Sequence, residues 1–244
     1  MPPSETKRDG GDPSRALDLA TLSFPRLTRP RRTAIDATRR LAADRDASMA
    51  ALKLGATQAS EVARNRTILR SPVMPALDRY DGVLYDALDA ASLSAAQRAW
   101  AGDRVAIASA AFGLTMALDE IPAYRLSHDS RIPGLSLARL WREPLAATLE
   151  QHDGLILDLR SEAYAALGPL PPRPDAVFVR VVTEDAAGRR RALNHFNKKG
   201  KGEFVRRLII AQPDLADVAA LLDWAAAEGV RLIPGAQGEL DLVV

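Results

Sequence analysis

The sequence predicts a mixed α/β (α+β) fold in a single compact domain, with helices gathered early and strands late. Three observations carry this expectation. Alanine- and arginine-rich stretches with apolar residues at helical spacing fill most of the chain up to about residue 104. Short apolar runs, "RVAIASAAFGL", "GLILDLRS", "AVFVRVVTE" and "GELDLVV", follow from there on. No internal repeat and no long linker interrupts the order, so residues 1–244 are read as one domain, and 47% hydrophobic residues suffice for a sizeable core.

The elements follow in order. "PPSETKRDGGDPS" is broken by Pro2, Pro3, Gly10, Gly11 and Pro13 and reads as a loop. From Arg31 to about Lys53, Ile35, Leu41, Met49 and Leu52 lie in a segment expected to be largely helical. After a Leu-Gly turn, Thr57 is placed to cap a second short helix over residues 57–66, with Glu61 one residue beyond capping-box spacing. Helix, turn and helix, with Arg64, Arg66 and Arg70, give residues 31–70 a helix–hairpin–helix outline, the usual second turn glycine being absent. "YDGVLYDALDAA" and "SLSAAQRAWAG" read as two more helices, the second capped by Ser94. "RVAIASAAFGL" reads as one buried strand, "LARLWREPLAATLEQ" as a helix interrupted at Pro144, and "GLILDLRS" as another buried strand. "AVFVRVVTE" and "RRRALNHF" alternate around "DAAG" as a hairpin. A helix over about 202–212, the helical "LADVAALLDWAAAEG" and the strands "VRLIP" and "GELDLVV" close the chain.

Composition excludes several functions. There is no cysteine, hence no disulfide, thiolate nucleophile or iron–sulfur cluster, and His128, His152 and His195 share no ligand spacing, so no metal site is expected. No motif implies a cofactor. A transmembrane span and a signal peptide are both missing from the pattern, which places the expected protein in the cytoplasm without a membrane partner. The sequence leaves the oligomeric state open, with a monomer as the expectation. The net charge of +2 hides a segregation. Residues 1–70 carry 14 Lys and Arg against 8 Asp and Glu, residues 71–188 carry 10 against 16, residues 189–207 carry 8 against 1, and residues 208–244 carry 1 against 6. Two basic zones that converged would attract phosphates.

Polar residues just after apolar runs are the natural site candidates in an α/β fold. They are Ser109 and Gly113, Tyr124, Arg125 and Ser127, and Asp158, Arg160, Ser161, Glu162 and Tyr164. Asp158, Ser161, Glu162 and Tyr164 are the catalytic candidates if the chain is an enzyme, although "DLRSEAY" lacks a nucleophile elbow and a carboxylate beside Arg160 or Arg125 reads equally as an ion pair. His195 alternates along an expected strand and reads as a packed or surface residue. The densest signal is "NHFNKKGKGEFVRRLII". Lys198, Lys199 and Lys201 alternate with Gly200 and Gly202 ahead of a helix, the pattern of backbone amides and ammonium groups around an anion, extended by Arg206 and Arg207.

"LDRYDGVLYDAL", "SAAFGLTMALDEIPAYRL", "LILDLRSEAY" and "NHFNKKGKGEFVRRLII", in this order, resemble the YaaA family of bacterial peroxide-stress proteins, as do "PPSETK" and the terminal "GELDLVV". The resemblance covers nearly the whole chain. It implies a single α/β domain of the family's own fold with a helix–hairpin–helix-like element and a positively charged cleft, binding of double-stranded DNA, and a role against hydrogen peroxide. The cleft residues it implies are Lys7, Tyr85, Ser109, Tyr124, Arg125, Ser161, Tyr164, Lys198 and Lys199. Three positions depart from the family pattern. The chain begins at Met1-Pro2-Pro3, where members usually have a short apolar strand first, so either that strand is lost or the start was placed late; Met116 stands at or near a basic position, and Ala163 replaces an acid before Tyr164.

Two functions are therefore expected. The first is a stress protein that binds duplex DNA without sequence preference through Lys7, Arg125, Lys198, Lys199, Lys201, Arg206 and Arg207. The other is an enzyme acting on a small anionic or nucleotide-like substrate in the same cleft, with Tyr85, Ser109, Tyr124, Ser161 and Tyr164 along its walls, in a member repurposed for specialised metabolism.

Overall fold

The computed structural model describes residues 1–185, 188–192 and 197–244. After a mostly irregular start, a turn of 3-10 helix at Pro25–Leu27 leads into α1 (Thr28–Leu41), followed by α2 (Arg45–Ala51) and α3 (Ser60–Thr67). The single helix expected up to Lys53 is two. Asp44 turns out of helical geometry and its carboxylate accepts the Ala47 N–H, starting a new helix. Thr57 does not cap. The Gly55 N–H instead donates to Gln58 Oε1 at 3.0 Å in the short 3-10 turn before α3.

β1 (Val73–Pro75), α4 (Ala76–Arg79), α5 (Val83–Leu88) and α6 (Ala95–Arg104) come next. Ser94 caps α6 as expected, in a reciprocal capping box with Gln97. "RVAIASAAFGL" proves to be two strands, β2 (Ala106–Ser109) and β3 (Gly113–Met116), paired antiparallel. An apolar run holds no signal for a turn, yet Gly113 sits at φ +75° and a Cβ there would stand 2.6 Å from the Trp141 ring. β4 (Glu120–Pro122) pairs with β1, and α7 (Leu137–Glu150) runs straight through Pro144.

The second half holds β5 (Ile156–Asp158), α8 (Glu162–Ala165), β6 (Ala176–Glu184), β7 (Arg190–Ala192), α9 (Asn197–Ala211), α10 (Val218–Ala227), β8 (Leu232–Pro234) and β9 (Glu239–Val243). β6 and β7 form the expected hairpin, its tip partly outside the described residues, as are Asn194 and His195. β6 is the spine of the main sheet. It pairs with β9 in parallel along one edge, while β5 and β7 share the other edge, and β8 closes the far side of β9. One continuous core runs from Leu27 and Ile35 through Phe112, Tyr124 and Trp141 to Val179, Ile209 and Leu221. Among the described residues no helix is long and apolar enough to cross a membrane.

The expected glycine-rich loop before residue 202 is the first turns of α9, which begins five residues earlier than the sequence suggests. Gly200 and Gly202 are buried helical residues, not positive-φ hinges. A Cβ on Gly202 would run into the Leu84 carbonyl and stand 2.9 Å from the Ala87 methyl, and one on Gly200 would meet Val244 at 3.0 Å. These glycines let α9 lie against α5 and β6.

Candidate functional site

Residues 6–8 run antiparallel to residues 79–81, with the Asp81 N–H donating to Thr6 O at 3.2 Å and the Arg8 N–H to Arg79 O at 2.8 Å. Arg79 locks this pairing. Its buried guanidinium donates to the carbonyls of Arg8, Gly10, Pro72 and Ile121. The pairing sets Lys7 beside Tyr80 and carries it over the ring of Tyr124, which follows β4.

Lys7 is only 3% exposed, and its Nζ lies 4.2 Å from the Tyr124 ring centre and 5.6 Å from that of Tyr80. Its Nζ donates to the Glu5 carbonyl at 3.2 Å. Burial pulls the ammonium down to about 7; Glu5 opposes this and Arg125 reinforces it. An ammonium group whose proton is loosened by burial thus lies over two phenol rings.

Next to it runs a chain of hydroxyls. Ser109, at the end of β2, accepts the N–H groups of Ala111 and Phe112 at 3.1 and 3.0 Å. With both lone pairs engaged it donates to Tyr124 Oη at 2.7 Å, so Tyr124 donates onward to Tyr80 Oη at 2.8 Å. Burial raises both phenols, Tyr80 to about 12. Tyr85 stacks on Tyr80 at 5.3 Å and donates to the Pro2 carbonyl. Arg125 closes the cluster: its Nη1 lies 3.1 Å from Glu5 Oε2, and its backbone is held on both sides by Asn65. Tyr164, buried and raised well above the usual phenol range by burial and by Glu5, packs its ring edge-on to His128 at 5.1 Å.

Lys7, Tyr85, Ser109, Tyr124 and Arg125 thus come together as one cluster, with Tyr164 linked to it through Glu5. The other sequence candidates occupy different positions. Asp158 and Arg160 form a buried bidentate pair; burial alone would raise the carboxyl, but Arg160 holds it below the usual range. Lys201 faces the interior and donates to the Arg160 carbonyl at 3.1 Å, and burial pulls it down to about 8. Ser161 caps α8 by accepting the Tyr164 N–H, and Glu162 pairs with Arg180 at 2.7 Å. Arg206 donates to the carbonyls of Leu88 and Asp89, and Arg207 to that of Glu228. Only Lys198 and Lys199 of the lysine stretch are exposed, Lys199 lying 3.6 Å from Glu203. Met116 is half-buried and Ala163 exposed.

Sequence reasoning missed Glu5, Glu61, Asn65, Arg79 and Tyr80. Glu5 stands inside the motif "PPSETK", and Arg79 and Tyr80 inside "LDRYDG", so a closer reading had the signal; Asn65 acts on main-chain groups and lies in none of the quoted motifs. Among the described residues no three His, Asp or Glu side chains gather as a metal site.

Comparison with known proteins assigns the chain. The family model described as peroxide stress protein YaaA matches residues 1–231. A UPF0246 protein of Corynebacterium glutamicum is 38% identical over 251 residues, covering 100% of this chain and 98% of the relative. Another of Corynebacterium efficiens is 39% identical over the same share, and one of Streptomyces coelicolor is 39% identical over 86% of this chain and 81% of its own. With both the model and full-length relatives in agreement, this chain belongs to the peroxide stress protein YaaA family.

Proposed function

We propose that the chain serves in the response to peroxide stress by holding duplex DNA through its phosphate backbone. The observation that carries this reading is a row of arginines on α1. Arg31, Ala34, Ile35, Thr38 and Leu41 are buried, and the opposite face presents Arg29, Arg32, Arg39 and Arg40 to solvent. Of these, only Arg39 forms an ion pair among the described residues, with Asp36 at 3.8 Å. From Arg29 to Arg40 the row measures about 16 Å at 1.5 Å per residue, or about five nucleotides at 3.4 Å per strand. α7, packed against α1, adds exposed Arg139 and Arg142. Lys198 and Lys199 rest on a different set of neighbours, since α9 packs on α5, α6 and β6.

Binding to a random duplex across a salt series tests the reading. The wild type should lose affinity steeply with salt, and changing Arg29, Arg32 and Arg40 together to Ala should lower the log–log slope by about 3, at roughly 0.9 per phosphate neutralised. Lys198→Ala with Lys199→Ala measures the contribution of the α9 lysines. Affinity unchanged in both variants overturns the reading.

A second reading has its own support: the Lys7 cluster is more elaborate than backbone binding requires. Under it the cleft holds a small molecule, anionic or nucleotide-like, and the arginine row is incidental.

A further inference from the structure

We propose that a cavity beside the arginine row of α1 takes one unpaired nucleobase, guanine by preference, of the DNA whose backbone the row holds. The proposal rests on the DNA-binding reading above and adds what the bound strand presents to the protein.

Shape is the first observation. A cavity of about 330 Å³ lies between α1 and the stretch 17–20, with Leu69 beside it. Its walls are largely apolar. Leu17, Leu19 and Leu69 are partly buried and pack on the core, and Ile35 of α1 is 1% exposed. A phosphate backbone lying along a helix has no group to put into such a space. A base turned out of its stack does, and apolar walls replace the contacts it gives up in the duplex. At the small end of the roughly 300–1,000 Å³ usual for ligand pockets, the cavity suits a single base.

Charge is the second. Arg32 lines the cavity and also belongs to the exposed row. Eleven residues make about three helical turns, so Arg29 and Arg40 lie on one stripe of α1, and Arg32 stands one turn from Arg29 toward the cavity. A strand with phosphates on Arg29 and Arg32 therefore passes the cavity mouth. Two carboxylates, Asp18 and Asp36, complete the lining, and phosphate binding alone gives them no purpose. Asp18 Oδ1 accepts the Ala20 N–H at 2.9 Å, while Asp36 is held only by Arg39 at 3.8 Å. A carboxylate only accepts hydrogen bonds, so it selects a base whose freed edge donates. Guanine alone offers two adjacent donors there, N1–H and the 2-amino group, to match the two oxygens of Asp36.

The test compares three probes by fluorescence anisotropy at one salt concentration: a fully paired duplex, the same duplex with one bulged dG, and the same with one bulged dT. The dG bulge should bind at least about fivefold tighter than the paired duplex, in the range of one base on a protein platform, and tighter than the dT bulge. Ala20 is exposed and lines the cavity, so Ala20→Phe fills the space without entering the core. It should abolish the advantage of the bulge and leave the paired-duplex affinity and its salt slope unchanged. Asp36→Asn should narrow the ratio of dG to dT, a readout from which the change in net charge cancels. A bulge advantage that persists in Ala20→Phe overturns the proposal, because it then comes from the flexibility of bulged DNA. Equal dG and dT affinities overturn the guanine preference. Equal binding of all three probes with a steep salt dependence overturns the base site and leaves the DNA-binding reading standing; no binding to any probe overturns both.

Discussion

Replacing Gly202 by Ala separates a packing glycine from a loop glycine. On helix propensity alone the change should stabilise α9 by about 1 kcal/mol. The surroundings oppose it. The new methyl would overlap the Leu84 carbonyl and stand 2.9 Å from Ala87 Cβ, and both belong to α5. A carbonyl fixed in a helix cannot swing aside as a side-chain tip can, so α9 and α5 must separate, at the upper end of the roughly 1–3 kcal/mol usual for overpacking or beyond it. The net effect is a loss of about 2 kcal/mol, and a lower melting temperature by roughly 4–8 °C for a chain of this size. Urea denaturation followed by circular dichroism measures it, with Gly55→Ala as the control, because a Cβ at Gly55 meets nothing nearer than 3.9 Å. A Gly202→Ala protein as stable as the wild type would refute the close α5–α9 packing and return the stretch to an open loop.

Two further outcomes follow from the buried ionisable groups. Lys7 has a folded value of about 7 against an ordinary 10.5, so between these limits the unfolded chain binds more protons and stability rises with pH by up to about 1.4 kcal/mol per unit. Lys7→Met removes this dependence, and urea midpoints at pH 6.5, 7.5 and 8.5 should diverge from the wild type; parallel midpoints would show that burial does not loosen the Lys7 proton. Asp158→Asn should cost about 3–5 kcal/mol by leaving Arg160 uncompensated, whereas Asp158→Leu with Arg160→Leu should cost much less; equal losses in thermal melts would mean that the pair is not desolvated.

What the sequence displayed and what it hid divide along physical lines. Caps and hairpins are local, so Ser94 with Gln97 and the β6–β7 hairpin were legible. The α9 start was not, because lysine and glycine side by side describe a solvated loop and a close helix contact equally well. The helical period could have decided it: Gly200, Lys201, Phe204, Val205 and Leu208 share the buried face, and Lys198 and Lys199 fall outside it. The ion pair of Asp158 with Arg160 is local too: it is made just past the end of β5, where the Arg160 N–H also donates to Asp158 Oδ1. Ser109, Tyr124 and Arg125 follow apolar runs and were legible as site candidates, but that Lys7 joins them was visible only through the family resemblance, because no local pattern brings an N-terminal segment against residues so far along the chain.

The buried arginines explain how such distant segments meet. Arg31 donates to the carbonyls of Ser23, Phe112 and Leu114, and Arg79 to those of Arg8, Gly10, Pro72 and Ile121. Neither hydrogen-bonds to a carboxylate. Main-chain carbonyls can satisfy a buried guanidinium only if the irregular N-terminal segment keeps one course, since each lost acceptor leaves an ionised donor without a partner. The arginines therefore fix the loop that carries Glu5 and Lys7 against β2, α4 and β4, where Ser109 and the tyrosines stand. These two arginines need no anion to explain them. Cations spent inside the fold take no part in holding a phosphate backbone, which falls to exposed ones such as the row on α1, Arg139, Arg142, Lys198 and Lys199.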